Sequence, residues 1–257
     1  MFILLIRFYR NVIRFFAKGV FMSSESSPKE SPSVVRLLLY FLFPFFSAAV
    51  FFLLAGTVQF AAGWIFNLWL AILVFIITVY LWKKDPALLK ERSNPGGYKN
   101  QKGWDKIFVP IVMILYFVWF FIMPLDVARF EWSGNAPAIG QGLGFLTLLI
   151  SSFFLYRSVT DNTYLSPTLR IQEERNQTVI TTGVYGFIRH PMYLGNAALF
   201  IGAPMLLGSV YGLFFGILLT VLLMSRIPGE EKMLKEELSG YFEYMDKVKY
   251  RLFPFIW

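Results

Sequence analysis

Six runs of apolar residues, at about 36–56, 60–82, 107–125, 137–156, 191–208 and 210–226, restrict this chain more than any other feature. Roughly 20 apolar residues wound as an α-helix cover about 30 Å, the thickness of a bilayer's hydrocarbon core, where only helices or closed barrels satisfy their own backbone groups. The runs predict an all-α, polytopic membrane helix bundle of five to six membrane segments. The last two are the shorter ones and only Gly208-Ser209 parts them, so a tight helical hairpin stands beside two full spans as a reading.

Charge gives the bundle an orientation. Of the 24 lysines and arginines, 23 fall on the alternate connections and termini that a six-segment path puts on one side; Arg129 is the exception. By the positive-inside rule that side is the cytoplasm, with both termini and any active site there. The same rule accounts for the net charge of +8 without nucleic acid, and the basic surface suits anionic membrane lipids. The chain has no cysteine and one histidine, which excludes disulfides, thiolate metal sites and a cysteine nucleophile and argues against a histidine-rich metal centre; no metal site is expected.

The chain divides into three stretches. Residues 1–33 begin with Arg7, Arg10, Arg14 and Lys18 at helical spacing among Phe2, Ile6, Ile13 and Phe16, which predicts an amphipathic helix in the membrane interface, followed by a Ser/Pro/Glu-rich linker. Residues 34–156 hold the N-terminal membrane helices. Residues 157–257 hold the remaining chemistry, the short apolar pair and a tail in which Leu234, Leu238, Tyr241, Met245 and Val248 recur at helical spacing. Pro228 and Gly229 should end the sixth apolar helix and let a cytoplasmic amphipathic helix begin at Glu230-Glu231. Gly140, Gly142 and Gly144 resemble a nucleotide loop only superficially and suit close helix packing.

In the third stretch, residues 181–195 place Arg189, His190, Tyr185 and Tyr193 at the start of an apolar segment. Proline is tolerated at the first helical position and disfavours helix for the residue before it, so His190 should cap a helix that Pro191 opens. Free N–H groups and the helix dipole attract a carboxylate or phosphate to such a mouth, and Arg189 adds a forked cation. A second reading has Arg189 and His190 facing lipid head groups. Glu230 and Glu231 likewise have two readings, a functional pair or first-turn acids complementing a dipole. A single site holding the basic mouth, the tyrosines and the carboxylates would suit a ligand with an acid, a cation and hydroxyls; S-adenosylmethionine has all three.

The pattern Gly183-x-Tyr185-x-x-x-Arg189-His190-Pro191-x-Tyr193-x-Gly195, then Arg226-x-x-x-Glu230-Glu231 and Tyr241-x-x-Tyr244, resembles the isoprenylcysteine carboxyl methyltransferase and phospholipid methyltransferase superfamily. The stretch from Ser166 to Glu173 resembles the segment before this motif in bacterial members, and Asp85-Pro86 to Arg92 is a weaker match. The resemblance implies an integral membrane methyltransferase using S-adenosylmethionine in a helical cytoplasmic pocket and a lipophilic acceptor, with carboxylate O-methylation favoured. It implies cofactor contacts from Gln172, Thr178, Val179, Ile180, Tyr185, His190, Pro191, Met192, Tyr193, Gly195, Glu230 and Glu231. Arg226 would stand near an acceptor carboxylate, and His190 and Arg189 would complete the catalytic set. The rival expectations are an NADPH-dependent reductase of the sterol reductase type and a non-enzymatic scaffold or transporter.

Overall fold

The computed structural model describes residues 34–93, 100–254 and 256. The interfacial helix expected at 1–22 and its linker lie outside the described residues. Among the described residues eight α-helices follow in order: α1 Val34–Ala55, α2 Ala61–Lys84, α3 Pro86–Arg92, α4 Asp105–Pro124 continued by a π-helical turn Leu125–Arg129, α5 Ala138–Asp161, α6 Pro191–Leu207, α7 Val210–Glu237 and α8 Tyr241–Lys247. Short 3-10 turns at Glu173–Arg175 and Gly183–Gly186 punctuate the long α5–α6 connection, and no strand occurs among the described residues.

Five of these helices are long and apolar enough to cross a membrane: Leu37–Ala55, Ala61–Lys84, Asp105–Arg129, Ala138–Asp161 and Val210–Glu237, with mean hydropathy from 1.7 to 2.4. Their outer faces expose Leu42, Phe45, Leu68, Phe75, Ile114, Leu146, Phe153 and Phe214, a surface stable against lipid and not against water. The sixth, α6, is 17 residues long with 11 of them buried, so it is the centre about which the others pack. Its tight turn into α7 uses Gly208 at φ 83°, with Ser209 capping α7 through a 2.8 Å bond from Gly212 N–H to Ser209 Oγ. A hairpin is what those two residues make.

The core clusters Phe51, Phe66, Trp69, Trp119, Phe120, Met123, Leu148, Phe200, Leu206 and Leu219 from all the long helices. Side-chain-free contacts let α5 and α6 approach most closely. A Cβ on Gly144 would stand 2.2 Å from the Leu206 nitrogen, and Gly202 meets the Gly144 oxygen in the same way. The glycines at 140 and 142 have no such neighbour, so the close-packing role falls to Gly144 alone of the three.

One expectation fails. Helix α7 does not stop at Pro228-Gly229 but runs unbroken to Glu237. A proline removes one backbone hydrogen bond, a loss that tertiary packing outweighs here. Ile227 is fully buried, and the indole of Trp104 lies where a Gly229 Cβ would be, 2.7 Å away. The chain turns into α8 only at Gly240, with φ 82°. The apolar positions of the tail still gather, with Leu238, Tyr241, Tyr244 and Val248 packing on Ile171 and Val179. Continuity through 228–229 matters because it sets Arg226, Glu230 and Glu231 on one rigid element beside the start of α6.

Candidate active site

The mouth of α6 is built by local sequence. His190 occupies the cap position with φ −125°, ψ 57°, and Pro191 is the first helical residue. The preceding 3-10 turn is fastened to the end of α5, where the Asp161 carboxylate accepts the Val184 N–H at 2.9 Å. Gly183 has φ 60° and no room for a side chain, since a Cβ there would lie 2.0 Å from Asp161 Oδ2. Burial pushes the Tyr185 hydroxyl well above its usual pKa, reinforced by the Glu230 charge, so it stays a neutral donor, to the Ser158 carbonyl at 3.3 Å. Burial raises the Tyr241 and Tyr244 hydroxyls likewise, and Tyr244 donates to the Tyr185 carbonyl at 2.7 Å.

The two adjacent glutamates of α7 do different things. Glu231, 2% exposed, accepts Arg189 Nε at 2.8 Å and faces His190 Nε2 at 3.2 Å through Oε1, while Oε2 accepts Arg251 Nε at 2.9 Å. Arg189 also donates to the Val248 and Lys249 carbonyls at 2.7 and 2.8 Å. The tail closes on the mouth through its backbone too, with Arg189 N–H on Tyr250 O and His190 N–H on Arg251 O at 3.0 and 2.9 Å. The anion that this basic mouth attracts is thus a carboxylate of the chain itself.

Glu230, one residue earlier and half-buried, has no ion pair among the described residues. It accepts a short hydrogen bond from the Tyr193 hydroxyl, and Arg226 and Tyr185 lie within electrostatic reach. Tyr193 in turn accepts Arg226 Nη1 at 3.1 Å. Arg226 is fixed by Asp105, to which Nε and Nη2 donate at 2.8 and 2.7 Å, and by the Pro167 carbonyl at 3.2 Å; the Phe108 ring lies 5.7 Å from its guanidinium carbon. A chain of hydrogen bonds therefore runs Asp105, Arg226, Tyr193, Glu230, ending on a carboxylate with unused acceptor capacity.

The other expected cofactor contacts fall in three places. Met192 is half-buried at the first turn of α6, packed toward α3, and Pro191 is buried beside it. Thr178 is exposed, and Val179 and Ile180 are half-buried; Val179 packs on the tail. Gln172 and Gly195 are occupied otherwise. The Gln172 amide donates to the Tyr164 carbonyl at 2.6 Å and accepts Arg175 Nη1 at 2.7 Å. At Gly195 a Cβ would meet Leu155 at 2.9 Å and its carbonyl accepts the Ser151 hydroxyl, so close α5–α6 contact explains the glycine.

Sequence reasoning passes over the residues that hold these in place. Asp105 is fully buried and takes four donors from Arg226, Gln101 and the Leu169 N–H. Glu91 fixes Arg170 with bonds of 3.1 and 2.7 Å and accepts Ser166 at 2.6 Å. A signal for Asp105 does exist, a lone carboxylate abutting an apolar run of membrane length, where an unpaired charge is expensive.

Comparison with known proteins bears on the region that carries this geometry. Residues 145–236 match the model of the isoprenylcysteine carboxyl methyltransferase (ICMT) family. That stretch is similar to the ICMT family and makes up about a third of the chain. It holds Tyr193, Arg226, Glu230 and Glu231, running from within α5 almost to the end of α7, and stops before α8. Over 141 residues, 53% of this chain, the sequence is 38% identical to the protein-S-isoprenylcysteine O-methyltransferase of Saccharomyces cerevisiae (strain ATCC 204508 / S288c), and over 107 residues, 40% of the chain, 29% identical to protein-S-isoprenylcysteine O-methyltransferase B of Arabidopsis thaliana. The matched lengths are 57% and 54% of those proteins, so the chain spans little more than half of each. The fold is similar to that of the eukaryotic intramembrane Ras methyltransferase ICMT, with a TM-score of 0.53 over 98% of this chain and 85% of that one at 16% identity. The likeness in fold reaches well beyond residues 145–236 and includes the helices before them.

Proposed function

We propose that this protein is an integral membrane methyltransferase that takes a methyl group from S-adenosylmethionine and gives it to a lipophilic acceptor, with a carboxylate oxygen favoured as the methylated atom. The observation that carries the reading is the division of labour between Glu230 and Glu231. Glu231 is consumed by Arg189, His190 and Arg251, whereas Glu230 keeps acceptor capacity beside the rings of Tyr185 and Tyr193. A carboxylate that is bonded to one phenol, lies within electrostatic reach of a second and keeps unused acceptor capacity suits a cationic ligand with hydroxyls. The ICMT-family match and the methyltransferase relatives favour this reading over a reductase or a scaffold.

When bound, S-adenosylmethionine supplies an activated methyl; a C–O bond to the acceptor forms as the C–S bond breaks, the electron pair leaves on sulfur, and no proton moves. The residues then have positioning to do more than acid–base chemistry. Glu230 and the two tyrosines would hold the cationic end, and Met192 and Pro191 share the first turn of α6 with Tyr193. His190 has Nε2 against Glu231, which assigns it to fixing the mouth. Arg226 is matched by Asp105 and orients the Tyr193 hydroxyl. Burial keeps the Tyr185 phenol neutral, and exclusion of water strengthens each of these contacts.

The distribution of lysine and arginine favours this end of the bundle at the cytoplasmic face, where the soluble donor is at hand and the acceptor arrives through the inner leaflet. The test is calorimetric titration of detergent-purified protein with S-adenosylmethionine and with NADPH. Saturable binding of the first, abolished in folded Glu230→Gln, supports the proposal; binding of NADPH alone refutes it. Incubation with methyl-labelled donor and membrane lipid extract then identifies the acceptor.

A further inference from the structure

Among the described residues, the arginines around the site pair with carboxylates, with Arg92 set apart from them. Arg226 has Asp105, Arg189 and Arg251 share Glu231, and Arg170 has Glu91 and Glu174. Arg92, the last residue of α3, has none among the described residues. Its guanidinium donates through Nη1 to the Leu165 carbonyl at 3.2 Å, and the groups that bear on it electrostatically are the phenols of Tyr40 and Tyr185. Burial pushes its pKa down, yet an arginine keeps its charge inside proteins. Arg92 is half-buried, and its guanidinium has one carbonyl partner and no carboxylate among the described residues, which leaves donors for an anion that a ligand brings.

The surroundings say which kind of ligand. On one side lies Tyr185, whose hydroxyl also feels Glu230, so Arg92 borders the region where the methyl donor is proposed to sit. Helix α3 reaches that region by packing Leu88 and Leu89 with Val159 of α5 and Met192 of α6. On the other side stands Tyr40 of α1, whose hydroxyl pairs with Ser93 Oγ at 3.1 Å, next in sequence to Arg92. Tyr40 and Phe41 begin an apolar groove of about 240 Å³ between α1 and α2, continued by Pro44, Ala71 and Phe75. Phe45 and Phe75, on its rim, are exposed on the apolar outer face of the bundle. Groove and guanidinium together match one amphiphile, an apolar chain ending in a carboxylate.

We infer that Arg92 binds the carboxylate of the lipophilic acceptor, with the acceptor's chain lying in the α1–α2 groove and its carboxylate presented beside Tyr185 to the donor's methyl. The inference rests on the methyltransferase reading. Arg226 is less suited to the same task, because Asp105 already neutralises it and its forks are spent on Asp105, Tyr193 and Pro167. A free carboxylate is ionised at neutral pH and needs no base, in keeping with a site whose only histidine is held by Glu231.

The experiment uses the full chain in detergent and two probes, N-acetyl-S-farnesylcysteine and its carboxamide, each measured for binding with and without S-adenosylmethionine and the acid also for KM and kcat. Wild type should bind the acid at least tenfold tighter than the amide. In Arg92→Gln that preference should vanish and the acceptor KM rise at least tenfold, with donor Kd within twofold of wild type. Arg92→Lys should retain part of the preference. Ala71→Trp, which fills the groove without touching the guanidinium, should weaken acid and amide alike and spare the donor.

A wild type indifferent to acid or amide overturns the inference, as does a preference that survives in Arg92→Gln. A tenfold loss of donor affinity with unchanged acceptor binding also overturns it, assigning Arg92 to the donor's own carboxylate. If Arg92→Gln does not fold, unaltered acceptor binding in Ala71→Trp overturns it alone. Failure of wild type to bind S-adenosylmethionine is a separate result, which refutes the methyltransferase reading while leaving the acid-over-amide measurement intact.

Discussion

Replacing Glu231 by glutamine should cost the protein its stability, whereas the same change one residue earlier should cost it its ligand. Glu231 is 2% exposed and its two oxygens serve Arg189, His190 and Arg251. Glutamine keeps the shape and removes the charge, which leaves Arg189, itself buried, without a counter-ion. Breaking a buried pair in this way costs about 3–5 kcal/mol. The partly exposed Arg251 adds little, since water screens it. For a chain of this size each kcal/mol moves the midpoint by about 2–4 °C, so the apparent Tm should fall on the order of 10 °C.

The tail should loosen with it. Residues 248–251 are held to the mouth by Arg189 side-chain and backbone bonds, and limited proteolysis should cut there sooner in Glu231→Gln than in wild type. Glu230 has no ion pair among the described residues, and Glu230→Gln should leave stability within about 1 kcal/mol of wild type, the scale of a single neutral hydrogen bond, while removing donor binding. Thermal unfolding in detergent, followed by tryptophan fluorescence beside calorimetry, separates the two effects. An unaltered Tm in Glu231→Gln, or a large fall in Glu230→Gln, would refute the assignment of structure to one glutamate and ligand to the other.

Asp105→Asn should leave Arg226 without its counter-charge and weaken both stability and methyl transfer, the first by about 3–5 kcal/mol, as read by thermal unfolding and turnover together. Gly144→Val places a side chain against the Leu206 backbone and should cost at least the roughly 1–3 kcal/mol typical of overpacking, seen as a lowered Tm or loss of folded protein on size exclusion. Burial raises the Glu174 carboxyl, but hydrogen bonds from Arg170 outweigh it and hold the group below the usual carboxylate range. A depressed folded-state pKa means that the contribution is present above the ordinary glutamate range and lost as pH falls through the lowered value. Glu174 is half-exposed, so Glu174→Gln should lower stability by no more than about 1 kcal/mol at pH 7, and that difference should close on acidification.

Features governed by neighbours along the chain are legible in the amino-acid sequence. The apolar runs and alternating charge announce the membrane helices, and the His190-Pro191 pair announces a helix cap, because span length, charge bias and proline geometry are local quantities. The break expected at Pro228-Gly229 does not occur for the opposite reason: the helix there packs through buried Ile227 and against Trp104, which is far away along the chain. The roles of the two glutamates are equally hidden from pattern. Nothing near Glu231 announces Arg251 as a partner, and nothing near Arg226 announces Asp105. The contacts of Gln172 with Tyr164 and Arg175, and of Gly195 with Leu155, are hidden in the same way. Such pairings are decided by tertiary packing, which short-range pattern does not encode.

The backbone seam between residues 189–190 and 250–251 sets an order on biosynthesis. Arg189 leaves the ribosome some sixty residues ahead of the carbonyls at 248 and 249 that cover it, with the α6–α7 hairpin still to be inserted in between. At roughly 5–20 residues per second that interval lasts about 3–12 s. For the first part of it, until Glu231 follows, the arginine lacks its counter-ion, so a nascent chain stalled before residue 231 would present a basic opening that the finished protein does not have.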